Sequence, residues 1–157
     1  MGKEIERKFL VRPGAWTPRG AGTPFRQGYL SSSKERVVRV RVAGDAGTLT
    51  IKGPPSGITR SEFEYAIPVA DAAAMLDALC ERPLIEKQRH LERHGGKEWE
   101  IDVFLGENEG LVVAELELGA EDEPFERPAW LGEEVSADPR YANASLVARP
   151  YRSWGGG

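Results

Sequence analysis

Along most of this chain, apolar and polar residues alternate one for one. The alternation is clearest in Val38-Arg39-Val40-Arg41-Val42, Leu49-Thr50-Ile51-Lys52 and Trp99-Glu100-Ile101-Asp102-Val103. Successive side chains of a β-strand point to opposite faces, so this period of two predicts strands with one apolar and one polar side. It predicts eight of them, at residues 4–11, 26–31, 37–43, 48–52, 60–67, 84–93, 97–104 and 111–118. Turn signals lie between them: Gly44-Asp45-Ala46-Gly47, Gly53-Pro54-Pro55-Ser56-Gly57, Gly95-Gly96 and Gly106-Glu107-Asn108-Glu109-Gly110. Connections this short make the sheet largely antiparallel.

Two stretches depart from the period. Residues 69–81 are Ala-rich, with Val69, Ala73, Leu76 and Leu79-Cys80 spaced for one helical face, Asp71 as N-cap and Pro83 beyond the end. Asp138-Pro139 starts a second helix, with Asp138 as N-cap and Pro139 at the first helical position, running to about residue 148. A loose tail is expected at 154–157. Eight antiparallel strands with few helices predict a mainly β (α+β) fold, a closed barrel or a sandwich.

The length of 157 residues fits a single domain, 1–157, with a real core. A net charge of −4 gives no general attraction for nucleic acid or an anionic membrane. The single cysteine, Cys80, excludes an internal disulfide and sits in the apolar helical stretch, as a buried inert thiol would. No segment reaches the length of a membrane span, and Met1-Gly2 is followed at position 6 by Glu rather than the Ser or Thr of a myristoylation site. A cytoplasmic protein is the expectation.

The charges change the picture more than their sum does. Glu4 and Glu6 share a strand face, and so do Arg39 and Arg41, Glu62 and Glu64, Lys87 and Arg89, Glu100 and Asp102, and Glu115 and Glu117. Two carboxylates roughly 6.6 Å apart along one strand repel unless a positive charge lies between them. An ordinary solvated face mixes signs; here like charges pair in six strands. The pattern makes sense if the acids hold cations and the bases hold a polyanion. Parity alone leaves open whether these faces line a barrel or meet the solvent.

Carboxylates without a cysteine cluster suit Mg²⁺ or Mn²⁺ rather than zinc, and His90 and His94 read as structural or surface residues. Lys8, Arg39, Arg41, Lys52, Lys87 and Arg89 exceed what one phosphate needs, which points to a polyphosphate and to metal-assisted phosphoryl transfer. No P-loop lysine motif, Gly-x-Gly-x-x-Gly or nucleophile elbow is present.

Several of these segments match a known family in order. Glu4-x-Glu6-x-Lys8, Gln27-Gly28-Tyr29-Leu30, Val38-Arg39-Val40-Arg41, Leu49-Thr50-Ile51-Lys52, Glu62-Phe63-Glu64-Tyr65 and Lys87-x-Arg89 come first. Trp99-Glu100-Ile101-Asp102-Val103-Phe104, Ala114-Glu115-Leu116-Glu117-Leu118 and Asp138-x-Arg140-Tyr141-x-Asn143 follow. Together they resemble the CYTH superfamily, the triphosphate tunnel metalloenzymes, most closely its short bacterial, inorganic-triphosphatase-like members. His90 stands where these proteins often carry Tyr.

The resemblance implies an eight-stranded antiparallel tunnel with a few flanking helices and a C-terminal helix, around Tyr141, that plugs or gates one mouth. By the same resemblance, Glu4, Glu6 and Glu117, assisted by Glu115, hold a first divalent ion, and Glu62, Glu64 and Asp102 favour a second. Lys8, Arg39, Arg41, Lys52 and Arg89 bind phosphate oxygens, while Lys87 and Tyr29 form a catalytic dyad that helps activate water. The implied activity is metal-dependent hydrolysis of inorganic tripolyphosphate or of nucleoside triphosphates; a monomer or homodimer without nucleic-acid or membrane partners is the separate expectation for its assembly. Adenylate cyclase and thiamine-triphosphatase are the alternatives within the family. A polyphosphate- or nucleotide-binding module without turnover is the alternative outside it.

Overall fold

The computed structural model describes residues 2–154. Among these, nine strands form one sheet: β1 (Lys3–Val11), β2 (Thr23–Ser33), β3 (Arg36–Ala43), β4 (Ala46–Lys52), β5 (Thr59–Ile67), β6 (Ile85–His94), β7 (Lys97–Phe104), β8 (Val112–Glu117) and β9 (Leu131–Glu134). The order is β5-β4-β3-β2-β6-β7-β8-β1-β9, every neighbouring pair is antiparallel, and β5 also pairs with β1. That last pairing closes eight strands into a barrel.

β1 can serve three neighbours because its far edge is shared. Lys3–Ile5 pair with β5, whereas Phe9 and Val11 pair with β9. The ninth strand escapes sequence reading because Leu131-Gly132-Glu133-Glu134 has no alternation. β2 is also longer than expected, starting at Thr23 and ending at Ser33.

The charged faces point inward, so the apolar faces pack outside the barrel. On one flank Phe9, Trp99, Ile101, Ala114, Leu116 and Trp130 are buried together. Phe9, Phe125 and Trp130 meet the Trp99 indole edge-on at 5.5–5.7 Å. On another flank α1 (Val69–Ala78) lays Ala72 and Leu76 over Val40. Those two are one turn apart on the helix, which is why this stretch packs as one.

Pro68 rather than Asp71 is the N-cap of α1; Asp71 lies in the first turn, where a carboxylate suits the helix dipole. The helix stops at Ala78, short of the expected residue 81. Gly28 is required where its end meets β2, since a Cβ there would come within 2.8 Å of both Cys80 and Leu84.

One end of the barrel is filled with apolar side chains. The next inward residue beyond the charges is Val37 on β3, Ile85 on β6, Phe104 on β7 and Val113 on β8. Leu146 and Val147 cap this floor from the C-terminal segment. That segment is not the continuous helix expected over 138–148. It is a 3-10 turn at Pro139–Tyr141, then α2 (Ser145–Ala148), then a 3-10 turn at Tyr151–Ser153. Asp138 does cap the first turn, its Oδ1 accepting from the Arg140 N–H at 3.0 Å.

Trp154, expected in the loose tail, packs edge-on against Tyr141 and Tyr151 at 5.1 and 5.0 Å. The rest of that expected tail, 155–157, lies outside the described residues. No described helix is long and apolar enough to cross a membrane.

Candidate active site

Going round the barrel, the inward charges segregate. β7, β8, β1 and β5 are consecutive and carry Glu100 and Asp102, Glu115 and Glu117, Glu4 and Glu6, and Glu62 and Glu64. The other four strands carry Lys52 on β4, Arg39 and Arg41 on β3, none on β2, and Lys87 and Arg89 on β6. Lys8, on β1, is an inward base on the acidic wall. The lumen thus has an acidic wall and a basic wall, an arrangement that depends on strand order.

Ion pairs bridge the walls where they meet. Lys52 Nζ lies 3.0 and 3.1 Å from the two Glu4 oxygens and 3.6 Å from Glu62 Oε2. Arg39 Nη2 donates to Thr50 Oγ1 at 3.1 Å and to Glu64 Oε2 at 3.3 Å. At the opposite seam Arg89 forks onto Asp102 at 2.8 and 2.9 Å and reaches Glu115 Oε1 at 3.2 Å and Glu100 Oε2 at 3.3 Å. The Phe25 ring on β2 lies under the guanidinium carbons of Arg41 and Arg89, at 4.6 and 4.7 Å.

Lys87 and Asp102 are both buried, with Nζ 2.7 Å from Oδ2. Burial would raise the Asp102 carboxyl, but Lys87 and Arg89 win and hold it well below the ordinary range. Burial pushes the Lys87 amine down; Asp102 pulls it back up, Arg89 and Arg41 push it down again, and it settles at about 8. Burial also lowers Lys8, yet Glu115 and Glu6 more than offset it and leave its amine raised. Its Nζ donates to the Tyr141 carbonyl at 3.1 Å and lies 3.5 Å from Glu115.

Three carboxylates gather for a cation: Glu6, Glu100 and Glu115 each offer an oxygen within 4.8 Å of the others. Burial, then Glu115 and Glu4, push the Glu6 carboxyl well above its ordinary value, and Glu100 is raised by burial first. Burial would raise Glu115 too, but Lys8 and Arg89 hold its carboxyl below the ordinary range. The cluster thus offers one firmly ionised carboxylate beside two crowded ones, a donor set that fits a divalent ion. Glu100 is the residue that the expected metal set omits, although it forms an inward acidic pair with Asp102.

The other expected ligands are dispersed. Glu4 is engaged by Lys52, and Glu117 is exposed at the rim, opposite Glu6 in the β1–β8 register. Glu62, Glu64 and Asp102 do not gather into a second site among the described residues. β5 and β7 are separated by β1 and β8, and both Asp102 oxygens are engaged by Arg89 and Lys87.

The basic wall retains donors for an anion: Arg39 Nε and Thr48 Oγ1 are buried and have no hydrogen-bond partner among the described residues. Lys87 and Tyr29 share no hydrogen bond among the described residues; two amides, Gln27 and Asn143, stand between them.

The sequence profile of the CYTH domain matches residues 2–151. The chain is 51% identical over 154 residues to an inorganic triphosphatase of Acetivibrio thermocellus, covering 98% of this chain and 99% of that one. It is 38% identical over 150 residues to an inorganic triphosphatase of Nitrosomonas europaea, covering 92% and 96%. A crystal structure of an inorganic triphosphatase aligns with a TM-score of 0.65 at 36% identity, over 92% of this chain and 97% of that one. An antiparallel barrel with a two-walled charged lumen, matched over nearly its whole length to these proteins, belongs to the CYTH domain family.

Proposed function

We propose that this chain is a metal-dependent inorganic triphosphatase, a phosphoanhydride hydrolase that releases orthophosphate from tripolyphosphate. The observation that carries this reading is the division of one lumen into an acidic and a basic wall. Both relatives above are named for the same activity.

Arg39, Arg41 and Arg89 bind phosphate oxygens with their forked donors, and Lys52 and Lys8 add point charges. The buried Arg39 Nε, without a partner among the described residues, supports this assignment. Glu6, Glu100 and Glu115 would hold a divalent ion, Mg²⁺ or Mn²⁺ by their oxygen donors, with Glu4 and Glu117 flanking. Such an ion supplies charge neutralisation and Lewis acidity to the phosphate chain. Asp102 acts as counter-ion to Lys87 and Arg89 and not as a ligand. Lys87, its amine lowered to about 8, takes the proton from the attacking water beside Tyr29 in its deprotonated form.

The test is orthophosphate release from tripolyphosphate with Mg²⁺ or Mn²⁺, set against ATP and thiamine triphosphate. Preferential turnover of tripolyphosphate is expected. An intact, folded protein that turns over none of the three is not an enzyme of this class.

A further inference from the structure

Gln27 and Asn143 stand in the sequence beside Tyr29 and Tyr141, and neither has a part in the chemistry above. Gln27 is fully buried on the inward face of β2, the one basic-side strand without an inward charge. Its Oε1 accepts from Arg41 Nε at 2.9 Å. Its Nε2 donates to the Tyr29 hydroxyl at 3.0 Å and to Asn143 Oδ1 at 3.2 Å. Asn143 Oδ1 also accepts from Lys87 Nζ at 2.9 Å.

The orientation of both amides is dictated by their ends. A guanidinium and an ammonium can only donate, so Gln27 must turn its oxygen to Arg41 and Asn143 must turn its oxygen to Lys87. Gln27 is then left with two N–H groups, and both find acceptors. Reversing either amide would place a donor against a donor in a buried site, which costs the full penalty of an unmade hydrogen bond.

We propose that Gln27 and Asn143 are positioning residues that set Arg41, Tyr29 and Lys87 at fixed places relative to one another. This rests on the triphosphatase reading. The Lys87 ammonium has three N–H groups. Asp102 takes one and Asn143 takes another, so a single tetrahedral position remains, and in the neutral amine that position holds the lone pair that accepts the proton of the attacking water. Without Asn143 the long, flexible lysine stem is fixed only at Asp102. Gln27 likewise acts as an inflexible spacer: it presents the Tyr29 hydroxyl oxygen to an N–H donor, so that the tyrosine proton points elsewhere. Asn143 belongs to the C-terminal segment, so the plug supplies part of the reaction geometry as well as closing the barrel.

The experiment compares Asn143→Leu, similar in size but unable to accept, with Asn143→Asp, which keeps the acceptor, and Gln27→Met with the wild type. Each folded protein is assayed for tripolyphosphate hydrolysis and crystallised without substrate. Displacement near 1 Å at a reacting group costs on the order of 100-fold. For Asn143→Leu and Gln27→Met, kcat should therefore fall by at least about tenfold with KM within about threefold, and Asn143→Asp, whose added charge raises the Lys87 amine, should recover most of the loss at alkaline pH.

Wild-type kcat in Asn143→Leu overturns the proposal, and so does an Asn143→Asp variant that at alkaline pH remains as impaired as Asn143→Leu. The crystals decide the same point without turnover. Lys87 Nζ should shift in Asn143→Leu and the Tyr29 hydroxyl in Gln27→Met, and unmoved atoms overturn the proposal. A wild-type protein that does not hydrolyse tripolyphosphate defeats the enzymatic reading, whereas the atomic shifts in the variant crystals still decide whether the two amides position Lys87 and Tyr29.

Discussion

Lys87 Nζ sits 2.7 Å from Asp102 Oδ2, and each side chain is only 1% exposed. The ladder sets this pair diagonally, since Asp102 is directly opposite Arg89 while Lys87 is opposite Phe104. One carboxylate therefore neutralises two buried cations from adjacent inward positions of β6.

Replacing Asp102 with Asn should cost about 3–5 kcal/mol of stability, because removing one partner leaves buried charge uncompensated. Urea unfolding of Asp102→Asn against wild type measures it. A loss below about 1 kcal/mol would mean that water already reaches Lys87 and Arg89.

The lowered Lys87 amine sets a pH dependence. A base must be deprotonated to act, so kcat/KM should rise with pH through about 8 and level off above it. Lys87→Met should abolish that limb and reduce kcat/KM by about 10²- to 10⁴-fold. A wild-type profile that is flat from well below to well above that value would remove Lys87 from the role of base.

Glu100→Gln should weaken metal binding, because it takes away one of three converging carboxylates. The Mn²⁺ concentration needed for half-maximal activity should increase about tenfold or more. Mn²⁺ titration by calorimetry gives the same answer without substrate. An unchanged midpoint in both assays assigns the ion to other residues.

Trp99→Ala should cost about 3–5 kcal/mol, as expected for deleting a fully buried indole packed edge-on against three aromatic rings. Trp99 faces away from the lumen, so kcat below the melting temperature should remain near wild type. Lost stability together with lost activity in the folded variant would couple the outer core to the site.

The sequence carried the strands well because alternation is a local signal. Which charges share a face could be read from each strand alone, whereas the inward direction of that face follows only from barrel closure. It missed β9, whose four residues owe their conformation to the free edge of β1, and the break in the C-terminal helix, where Leu146 and Val147 are drawn onto the floor of the barrel. The ligand set is legible only in part, for a similar reason. Whether Glu100 or Glu117 stands beside Glu6 and Glu115 depends on barrel closure and on how far each strand extends into the lumen. Gln27 and Asn143 left no charge pattern to read, and their roles emerge only once β2 and the C-terminal segment meet.

The separation of the two walls gives the lumen a transverse dipole. A bare polyanion entering it is pulled to one side and repelled from the other, and a bare cation meets the reverse. A polyanion already carrying its counter-ion fits in one orientation, with its own dipole opposed to that of the barrel. The metal-bound triphosphate is therefore the species expected to bind productively, and excess free tripolyphosphate should act as a competitor that occupies one wall without being turned over.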